Sequence, residues 1–258
     1  MGANETIKWL IKNFNLPSSL KILNYYKNKK LKKLTYTKTF NVSFKFLGEK
    51  IRFNIRDNND DFAILREIFL FRAYKTPKLD FEPQIIFDLG SHIGASAVYL
   101  GKKFPNARVY CFEPDENSRK LLKQNLDKNN INYKLFPYAV SDKRKVIRFY
   151  SNKNNPAFSK IGDNGNIKIQ AIGLNEVLRQ EKIKNIDILK IDVEGEETKI
   201  LPTIKTKIKL LMCENHNDKY SFKEIERIIN NLNLKLIPPM KHWNKLNEDI
   251  NYPILIAR

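Results

Sequence analysis

The sequence predicts an α/β fold with a mostly parallel central sheet, on the basis of three observations. Residues 85–96, IIFDLGSHIGAS, join an apolar run to a glycine-rich turn and a helical start, the pattern of a buried strand that enters a helix. Strand and helix patterns then alternate along the chain, which is typical of parallel strands joined by right-handed crossovers. The length of 258 residues suits one α/β domain of ordinary size with an extension.

The N-terminal part of the chain predicts this extension. Residues 5–15 carry apolar side chains at helical spacing and predict a short amphipathic helix. Residues 40–55 alternate apolar and polar side chains and predict a β-hairpin. We therefore expect residues 1–59 to form an extension that contains this helix, a Lys-rich segment and the hairpin, and residues 60–258 to form the main domain.

The main domain is predicted to alternate helices and strands. Helices are expected at 61–74, from about 95, at 117–128 and at 222–232. Strands are expected at 85–89, 108–113, 133–140, 187–193, 208–214, 234–237 and 253–257, with an inserted antiparallel pair at 145–150 and 167–172. The Asn- and Gly-rich residues 151–166 predict a mobile loop over a site.

The net charge of +19 comes mostly from Lys residues that are scattered along the chain. Scattered lysines indicate a compositional bias rather than a footprint for nucleic acid, so we do not expect a nucleic-acid partner. The densest run, residues 27–33, has two interpretations. We favour a solvated face that packs Leu31 and Leu34 inward; the alternative is a weak attachment to an anionic membrane surface.

Two features predict a cytoplasmic protein. Cys111 and Cys213 lie in separate apolar runs without metal or redox spacing, which is typical of reduced, buried thiols. The sequence also has neither an apolar signal core at its start nor a run of about 18 apolar residues that could span a bilayer.

The turn after the first main strand has the pattern D-x-G-x-x-x-G, from Asp88 to Gly94. Its glycines permit a sharp turn and the close approach of a small molecule, and the following helix N-terminus favours an anionic group. A dinucleotide site would need glycine where His92 stands, and a P-loop would need a Gly-Lys-Ser/Thr sequence that is missing. The smaller anion that suits this turn is an amino-acid carboxylate.

Glu113 ends the next predicted strand, about 20 residues beyond the turn. A carboxylate there can accept hydrogen bonds from both ribose hydroxyls of a nucleoside. Asp88 alone could be a structural acid bonded to turn amides, and a single Glu at a strand end is common. Together the two acids favour a ligand that combines a nucleoside with an amino acid.

That description fits S-adenosylmethionine. The segments FDLGSHIGAS, CFEPD, AVSD, LKIDVEGEE and MCENH, in this order, resemble the FkbM-type family of S-adenosylmethionine-dependent class I methyltransferases. The resemblance extends from about residue 60 to the C-terminus and implies a Rossmann-like fold with seven strands, the last one antiparallel. The sequence departs from the family pattern at Ser91 and His92, where Ala-Asn is common, and at Asn175, where an acid is usual.

The resemblance also implies which residues surround the cofactor. The implied cofactor-binding residues are Asp88, Gly90, Ser91 and Gly94 at the methionine end, Glu113 and Pro114 at the ribose, Ala139, Val140 and Ser141 at the adenine, and Asp192.

Polar residues at the ends of the fourth and fifth main strands predict the acceptor side of the site. The candidate catalytic residues are Asp192, Glu194, Glu214 and His216. Methyl transfer to an alcohol requires removal of a proton; His216 has a suitable unperturbed pKa, and Asp192 or Glu214 could orient it or act instead. Two alternatives stay open. Asp192, Glu194 and Glu214 could bind Mg²⁺, or Glu196, Glu197 and His216 could only cap the next element.

We expect an O-methyltransferase that acts on a hydroxyl of a sugar or of a glycan or natural-product precursor, an acceptor class that follows from the resemblance. The alternatives are an RNA or protein methyltransferase and a nucleoside-binding module without catalysis. Against methylation of a base nitrogen, the fourth main strand carries carboxylates instead of an Asn-Pro-Pro-like amide site.

Overall fold

The structure, a computed structural model, describes residues 2–31, 33–34, 38–58, 60–150, 160–161, 165–214, 222–237 and 254–258. The helices within these residues are α1 (Gly2–Asn13), α2 (Leu16–Lys30), α3 (Asp61–Leu65), α4 (Ala95–Lys103), α5 (Glu116–Lys128), α6 (Leu174–Gln180), α7 (Glu197–Ile200) and α8 (Phe222–Asn231). The strands are β1 (Thr39–Phe46), β2 (Glu49–Arg56), β3 (Ile85–Leu89), β4 (Arg108–Phe112), β5 (Tyr133–Phe136), β6 (Ala139–Ser141), β7 (Lys145–Tyr150), β8 (Lys160–Ile161), β9 (Ile167–Gly173), β10 (Asn185–Ile191), β11 (Lys207–Glu214) and β12 (Ile254–Ala257).

A central sheet of six strands has the order β5-β4-β3-β10-β11-β12. The first five strands are parallel and β12 runs antiparallel to β11, as predicted. The strand predicted at 234–237 is reduced to one antiparallel bridge between Leu236 and Ala257. Among the described residues, the central sheet therefore has six strands, and this bridge takes the place of the predicted seventh. The mostly parallel sheet between helices confirms the predicted Rossmann-like α/β class.

The strand predicted at 133–140 divides into two strands that belong to different sheets. Pro137 separates them, because proline has no N–H to donate to a ladder. β5 ends the central sheet, whereas β6 joins a second sheet in the order β6-β9-β7-β8. The predicted antiparallel pair is confirmed as β7 and β9. Most of the predicted loop at 151–166 lies outside the described residues.

The N-terminal extension contains the predicted first helix and hairpin and, in addition, α2. Pro17 lies in the first turn of α2, where proline is favoured, and the side chain of Asn15 caps α2 by accepting from the Ser18 N–H at 3.0 Å. The predicted inward packing is confirmed for Leu34 and wrong for Leu31, which is exposed. None of the described helices is both long and apolar enough to cross a bilayer.

The helix predicted at 61–74 is shorter and less regular than expected. The α-helical part, α3, passes into a π-helical turn at Arg66–Leu70. Arg72 then adopts a left-handed backbone conformation with φ of 58°, which stops the helical run.

The two faces of the central sheet form two separate cores. Ile86 and Ile188 belong to the first core, which α4, α5, the N-terminal helices and the hairpin complete. Phe87 and Leu189 belong to the second core, which α6, α7 and α8 complete. Successive strand residues point to opposite faces, so the apolar runs of β3 and β10 serve both cores. The extension thus shares a core with the main domain, and the boundary after residue 59 stays a prediction.

Asn125 on α5 and Asn129 just after it form hydrogen bonds with the backbone along the edge of β2. The side-chain oxygen of Asn125 accepts from the Asn54 N–H at 2.7 Å, and its amide donates to the Asn54 oxygen at 3.1 Å. Asn129, one helical turn later, forms the same two bonds with the backbone of Arg52. Asn125 also donates to the backbone oxygen of Ile93 at 2.8 Å. These amides therefore attach the hairpin to the turn after β3.

Replacing Asn125 with leucine is expected to lower the free energy of unfolding by about 3 kcal/mol, because three backbone groups lose their buried partner. Denaturant titration followed by circular dichroism measures the change. The exposed substitution Lys120→Ala on the same helix is the control, with an expected change below about 0.5 kcal/mol. Equal stability of the two variants would contradict the role given to Asn125.

Candidate cofactor and acceptor site

The carboxyl ends of β3, β4 and β10 meet where the order of the central sheet reverses. β3 lies between β4, which follows it in the chain, and β10, which the chain reaches after completing the other half of the sheet. Connections diverge at such a point and leave a crevice in which open parallel sheets bind ligands. The turn after β3, Glu113 after β4 and Asp192 after β10 all lie at this place.

The turn after β3 has left-handed backbone conformations at Gly90, His92 and Gly94, with φ of 80°, 47° and 88°. Protein atoms fill the space beside both glycines. A Cβ on Gly90 would lie 1.8 Å from the backbone oxygen of Asp192, and a Cβ on Gly94 would lie 2.7 Å from Cδ1 of Leu122. The close packing against the backbone after β10 therefore requires glycine at position 90, while the left-handed conformation favours glycine at position 94. The contact of both glycines with a ligand stays a prediction.

Ser91 fixes this turn to β4. Its hydroxyl donates to the backbone oxygen of Asp88 at 2.8 Å and accepts from the Phe112 N–H at 3.2 Å. The N–H groups of Gly90 and Ser91 both donate to the Phe112 oxygen. The side chain predicted to touch the cofactor is thus buried and has a structural role inside the turn.

Glu113 follows β4 with a buried carboxylate that contacts the turn after β3. Its Oε2 accepts from the His92 N–H at 2.9 Å and its Oε1 from the Asp115 N–H at 2.8 Å. Burial raises the pKa of Glu113 to about 7, although both of these amide hydrogen bonds lower it. Each carboxylate oxygen keeps a second lone pair, so Glu113 can accept the two further hydrogen bonds that a ribose offers. The neighbouring Pro114 uses its backbone oxygen to accept from Arg119.

His92 is directed towards the hairpin. Its Nε2 lies 2.8 Å from Nη2 of Arg56, and its side chain is 16% exposed. Arginine can only donate, so Nε2 accepts and Nδ1 of the neutral ring carries the proton. Burial, assisted by the charge of Arg56, lowers the pKa of His92 to about 4 against the attraction of Asp61. Nδ1 is buried and has no hydrogen-bond partner in the described part of the chain.

Arg56 joins the hairpin, α3 and α5 beside the turn. Its guanidinium pairs with the fully buried carboxylate of Asp61 at 2.9 Å and donates to Oγ of Ser118 at 3.1 Å. Burial raises the pKa of Asp61, but Arg56 outweighs it, so the pKa is lowered. Asn58 donates to the same carboxylate at 2.9 Å. Sequence reasoning missed this cluster, because its members share no spacing or motif.

A buried ion-pair network at Lys190 connects β3 with β10. Nζ of Lys190 lies 3.2 Å from Oδ1 of Asp88 and 3.3 Å from Oδ2 of Asp192, and it donates to the Gly90 oxygen at 2.7 Å. The second oxygen of Asp88 accepts from the Ser96 hydroxyl at 2.7 Å. Burial lowers the pKa of Lys190, but the two carboxylates outweigh burial and raise it, so the amine stays charged.

This network changes the interpretation of Asp88. The carboxylate has no exposed surface and is used by Lys190 and Ser96, so its predicted contact with the methionine end stays a prediction. The sequence does carry a signal for the network, since a lysine inside the apolar run of β10 needs a buried partner. Alternation along β10 also places Lys190 and Asp192 on the same side, but it does not indicate Asp88.

Tyr74 supplies a hydroxyl to the predicted acceptor side, although no motif or spacing in the sequence indicates it. Its O–H donates to Oε2 of Glu214, the last residue of β11, at 3.3 Å. Nζ of Lys190 lies 5.6 Å from the centre of its ring. Burial raises the pKa of Tyr74, and the charges of Asp192 and Glu214 raise it further, so the hydroxyl stays a donor at neutral pH.

The structure describes three of the four predicted catalytic residues. Asp192 is the partly exposed carboxylate of the network, at 26%, and Glu194 lies in the turn after β10 with φ of 55°. His216 lies outside the described residues. Within the described ranges no three His, Cys, Asp or Glu side chains are grouped to hold a metal ion. Asp192 pairs with Lys190 and Glu214 accepts from Tyr74, and the Mg²⁺ alternative at Asp192, Glu194 and Glu214 stays a prediction.

The residues predicted to border the adenine lie in β6, at the edge of the second sheet. Ala139 and Val140 are buried. The hydroxyl of Ser141 donates to Oε2 of Glu196 at 3.1 Å, which connects β6 with the turn after β10. β6 thus lies beside the turn after β10, and its contact with an adenine stays a prediction.

Glu197 has a structural role in the turn before α7, whereas the alternative considered for it was a cap on the next element. Its carboxylate accepts from the Val193 N–H at 3.0 Å and from the Gly195 N–H at 3.0 Å. Gly195 has φ of 103°, a conformation that favours glycine. The carboxylate therefore stabilises the turn that follows Asp192.

The chain has named relatives among methyltransferases. It is 25% identical to methyltransferase sdnD of Sordaria araneosa over 173 residues, covering 54% of this chain and 66% of sdnD. It is 22% identical to the 31-O-demethyl-FK506 methyltransferase FkbM of Streptomyces tacrolimicus over 204 residues, covering 64% and 78%. It is 27% identical to the hexuronic acid methyltransferase AglP of Haloferax volcanii over 124 residues, covering 46% and 49%.

Two solved structures are similar to the chain. A methyltransferase FkbM from Methylobacillus flagellatus KT has a TM-score of 0.47 at 13% identity and covers 78% of this chain and 55% of its own. Aeropyrum pernix fibrillarin with bound S-adenosyl-L-methionine has a TM-score of 0.49 at 13% identity and covers 84% and 81%.

A family model gives the assignment. Residues 88–236, more than half of the chain, match the methyltransferase FkbM domain. This range contains the turn after β3, Glu113, Lys190 and Asp192. The chain therefore belongs to the FkbM methyltransferase domain family of S-adenosylmethionine-dependent methyltransferases.

Proposed function

We propose that the chain is an O-methyltransferase for a hydroxyl of a sugar or of a glycan or natural-product precursor. The observation that carries the proposal is the pair of carboxylates, Asp192 and Glu214, at the carboxyl edge of the central sheet beside the turn after β3. The names of two relatives support the acceptor class, since FkbM is a 31-O-demethyl-FK506 methyltransferase and AglP a hexuronic acid methyltransferase.

The side chains around the turn fit S-adenosylmethionine. Glu113 would accept hydrogen bonds from the two ribose hydroxyls with its remaining lone pairs. The buried Nδ1–H of His92 and the N-terminus of α4, which has no side-chain cap, offer donors to the carboxylate at the methionine end. Lys190 holds the Gly90 carbonyl and so keeps the turn in this shape.

S-adenosylmethionine supplies a methyl group that is already activated, so the protein has to align the acceptor and remove its proton. We assign Asp192 to the acceptor hydroxyl, because it is the carboxylate of the Lys190 network that solvent reaches, whereas Asp88 is fully buried. Tyr74 orients Glu214 through its hydroxyl. His216, two residues beyond Glu214, remains the proposed base.

Glu113→Ala is expected to raise the Kd for S-adenosylhomocysteine by about 100-fold, because two hydrogen bonds to a charged acceptor are lost. Isothermal titration calorimetry measures the affinity. Glu116→Ala, an exposed acid three residues later, is the matched control and should bind like the wild type. If Glu113→Ala binds as tightly as Glu116→Ala, the ribose role is wrong.

Binding of S-adenosylhomocysteine is expected to weaken below pH 7. Glu113 keeps its proton up to about pH 7 in the free protein, and the ribose contact needs the carboxylate, so binding must release that proton at lower pH. The Kd should rise up to about tenfold per pH unit below 7 and stay level above it. Calorimetry in two buffers with different ionisation enthalpies detects the released proton. The profile should flatten in Glu113→Gln; an unchanged slope in that variant would assign the titration to another group.

Asp192→Asn and His216→Ala are each expected to lower kcat by at least about 100-fold and to leave the Kd for S-adenosylhomocysteine within about tenfold of the wild type. Free hexoses and hexuronic acids serve as acceptors, and mass spectrometry detects the added methyl group. Glu176→Gln, on the exposed side of α6, is the control. Wild-type turnover in both variants would exclude Asp192 and His216 from the chemistry.

A further inference from the structure

The N-terminal helices expose a stripe of large apolar side chains. Among the described residues, ten large apolar side chains are exposed, and six of them lie in the first 31 residues. The members of this outer stripe are Ile7, Ile11, Leu16, Leu20, Leu23 and Leu31. Ile11 and Leu16 are the most exposed, at 78% and 71%. Single exposed leucines are ordinary on a protein surface, whereas several large apolar side chains exposed on one face of a helix indicate an interaction surface.

The stripe lies opposite the face by which these helices pack. On α2, Leu16, Leu20 and Leu23 follow one another at intervals of four and three residues, so they share one side of the helix. Ile22 and Tyr25, on the other side, are buried in the first core. On α1, Ile7 and Ile11 are one turn apart and exposed, while Trp9 and Leu10 are buried. Both helices thus have a second apolar face that no described part of the chain covers.

The segment that carries the outer stripe is rich in lysine. Residues 1–34 contain eight lysines and one acid, Glu5. α2 itself contains no acid, and its last turn carries Lys27, Lys29 and Lys30. Lys27 lies four residues after Leu23 and therefore continues the line of the stripe. An apolar stripe whose charged neighbours along the chain are lysines, apart from Glu5, has a defined complement, a surface that is both apolar and anionic.

We propose that α1 and α2 dock on the surface of a lipid bilayer that contains anionic lipids. The outer stripe would enter the boundary between headgroups and acyl chains, and the lysines would contact the lipid phosphates, as in helices that lie in the plane of a membrane. A second copy of this chain is the less suitable occupant, because pairing two stripes would bring two lysine clusters together without acids to neutralise them. The contact needs no spanning segment, since Ile22 and Tyr25 hold α2 on the protein.

Flotation of the full chain with vesicles tests this proposal. Vesicles of phosphatidylcholine with phosphatidylglycerol are compared with vesicles of phosphatidylcholine alone. The wild type is expected to float with the anionic vesicles at least about tenfold more than with the neutral ones, and added salt should reduce this difference. Equal partitioning, or no binding to either vesicle, would overturn the proposal.

Two pairs of variants separate the apolar from the electrostatic part. Leu20→Gln/Leu23→Gln and Lys27→Gln/Lys30→Gln are each expected to weaken binding to anionic vesicles by about tenfold or more. The matched controls are Leu47→Gln/Val146→Gln, exposed apolar residues elsewhere, and Lys168→Gln/Lys207→Gln, exposed lysines elsewhere. Both controls should bind like the wild type. Equal loss in the controls would overturn the assignment to α1 and α2.

Two further measurements complete the test. Binding of S-adenosylhomocysteine and the circular dichroism spectrum should be unchanged in all four variants, which shows that they are folded. Sedimentation velocity without lipid should give the same oligomeric state for the wild type and Leu20→Gln/Leu23→Gln. A wild-type dimer that this variant converts to a monomer would identify the outer stripe as a subunit interface and overturn the proposal.

Discussion

A single buried ammonium group, Nζ of Lys190, holds together the two turns on which the site depends. It lies between Asp88 at the end of β3 and Asp192 just after β10, and it also binds the Gly90 carbonyl. A charge inside an apolar sheet is tolerated only when it is fully paired, because an unpaired one costs several kcal/mol. The lysine and its two carboxylates therefore fix one another and fix the switch point of the sheet. The close packing of Gly90 against the backbone of Asp192 also holds these two turns together.

The N-terminal extension takes part in this site instead of lying apart from it. Arg56 extends from the hairpin to His92 in the middle of the turn. Asn125 connects the hairpin to Ile93, the next residue of the turn. His92 in turn donates its N–H to Glu113, the proposed ribose acceptor. A substitution in the hairpin can therefore alter the geometry of the turn after β3, because buried, hydrogen-bonded side chains connect the two.

Charge is used in two different ways in this chain. Inside, Arg56 pairs with Asp61 and Lys190 with Asp88, and these pairs determine the geometry of the turns. Outside, the lysines of α2 face solvent beside an apolar stripe and have no acidic neighbours on their helix. The high net charge of the chain therefore does not by itself indicate one function. Burial and neighbours decide what each cation does.

The sequence by itself determined most of the strands, the helices α1, α4, α5 and α8, the glycine turn, the hairpin and the family. Each of these has a local signature, either a period of side chains or residues at fixed spacing. It also brought Glu113 and Asp192 to one edge of the sheet, since parallel strands end together. The division at Pro137 and the start of α2 at Leu16, beside Pro17, had local signals too, but proline is compatible with both the end and the beginning of an element.

Only the tertiary structure decided which side chains meet. Lys190 and the Gly90 carbonyl are 100 positions apart, and Arg56 and His92 are 36 apart. No local pattern links such pairs, because they are adjacent only after the sheet and the hairpin have packed. The same holds for Tyr74 and Glu214, which are 140 positions apart. Local periodicity specifies elements, whereas ion pairs and hydrogen bonds between elements depend on how those elements pack in three dimensions.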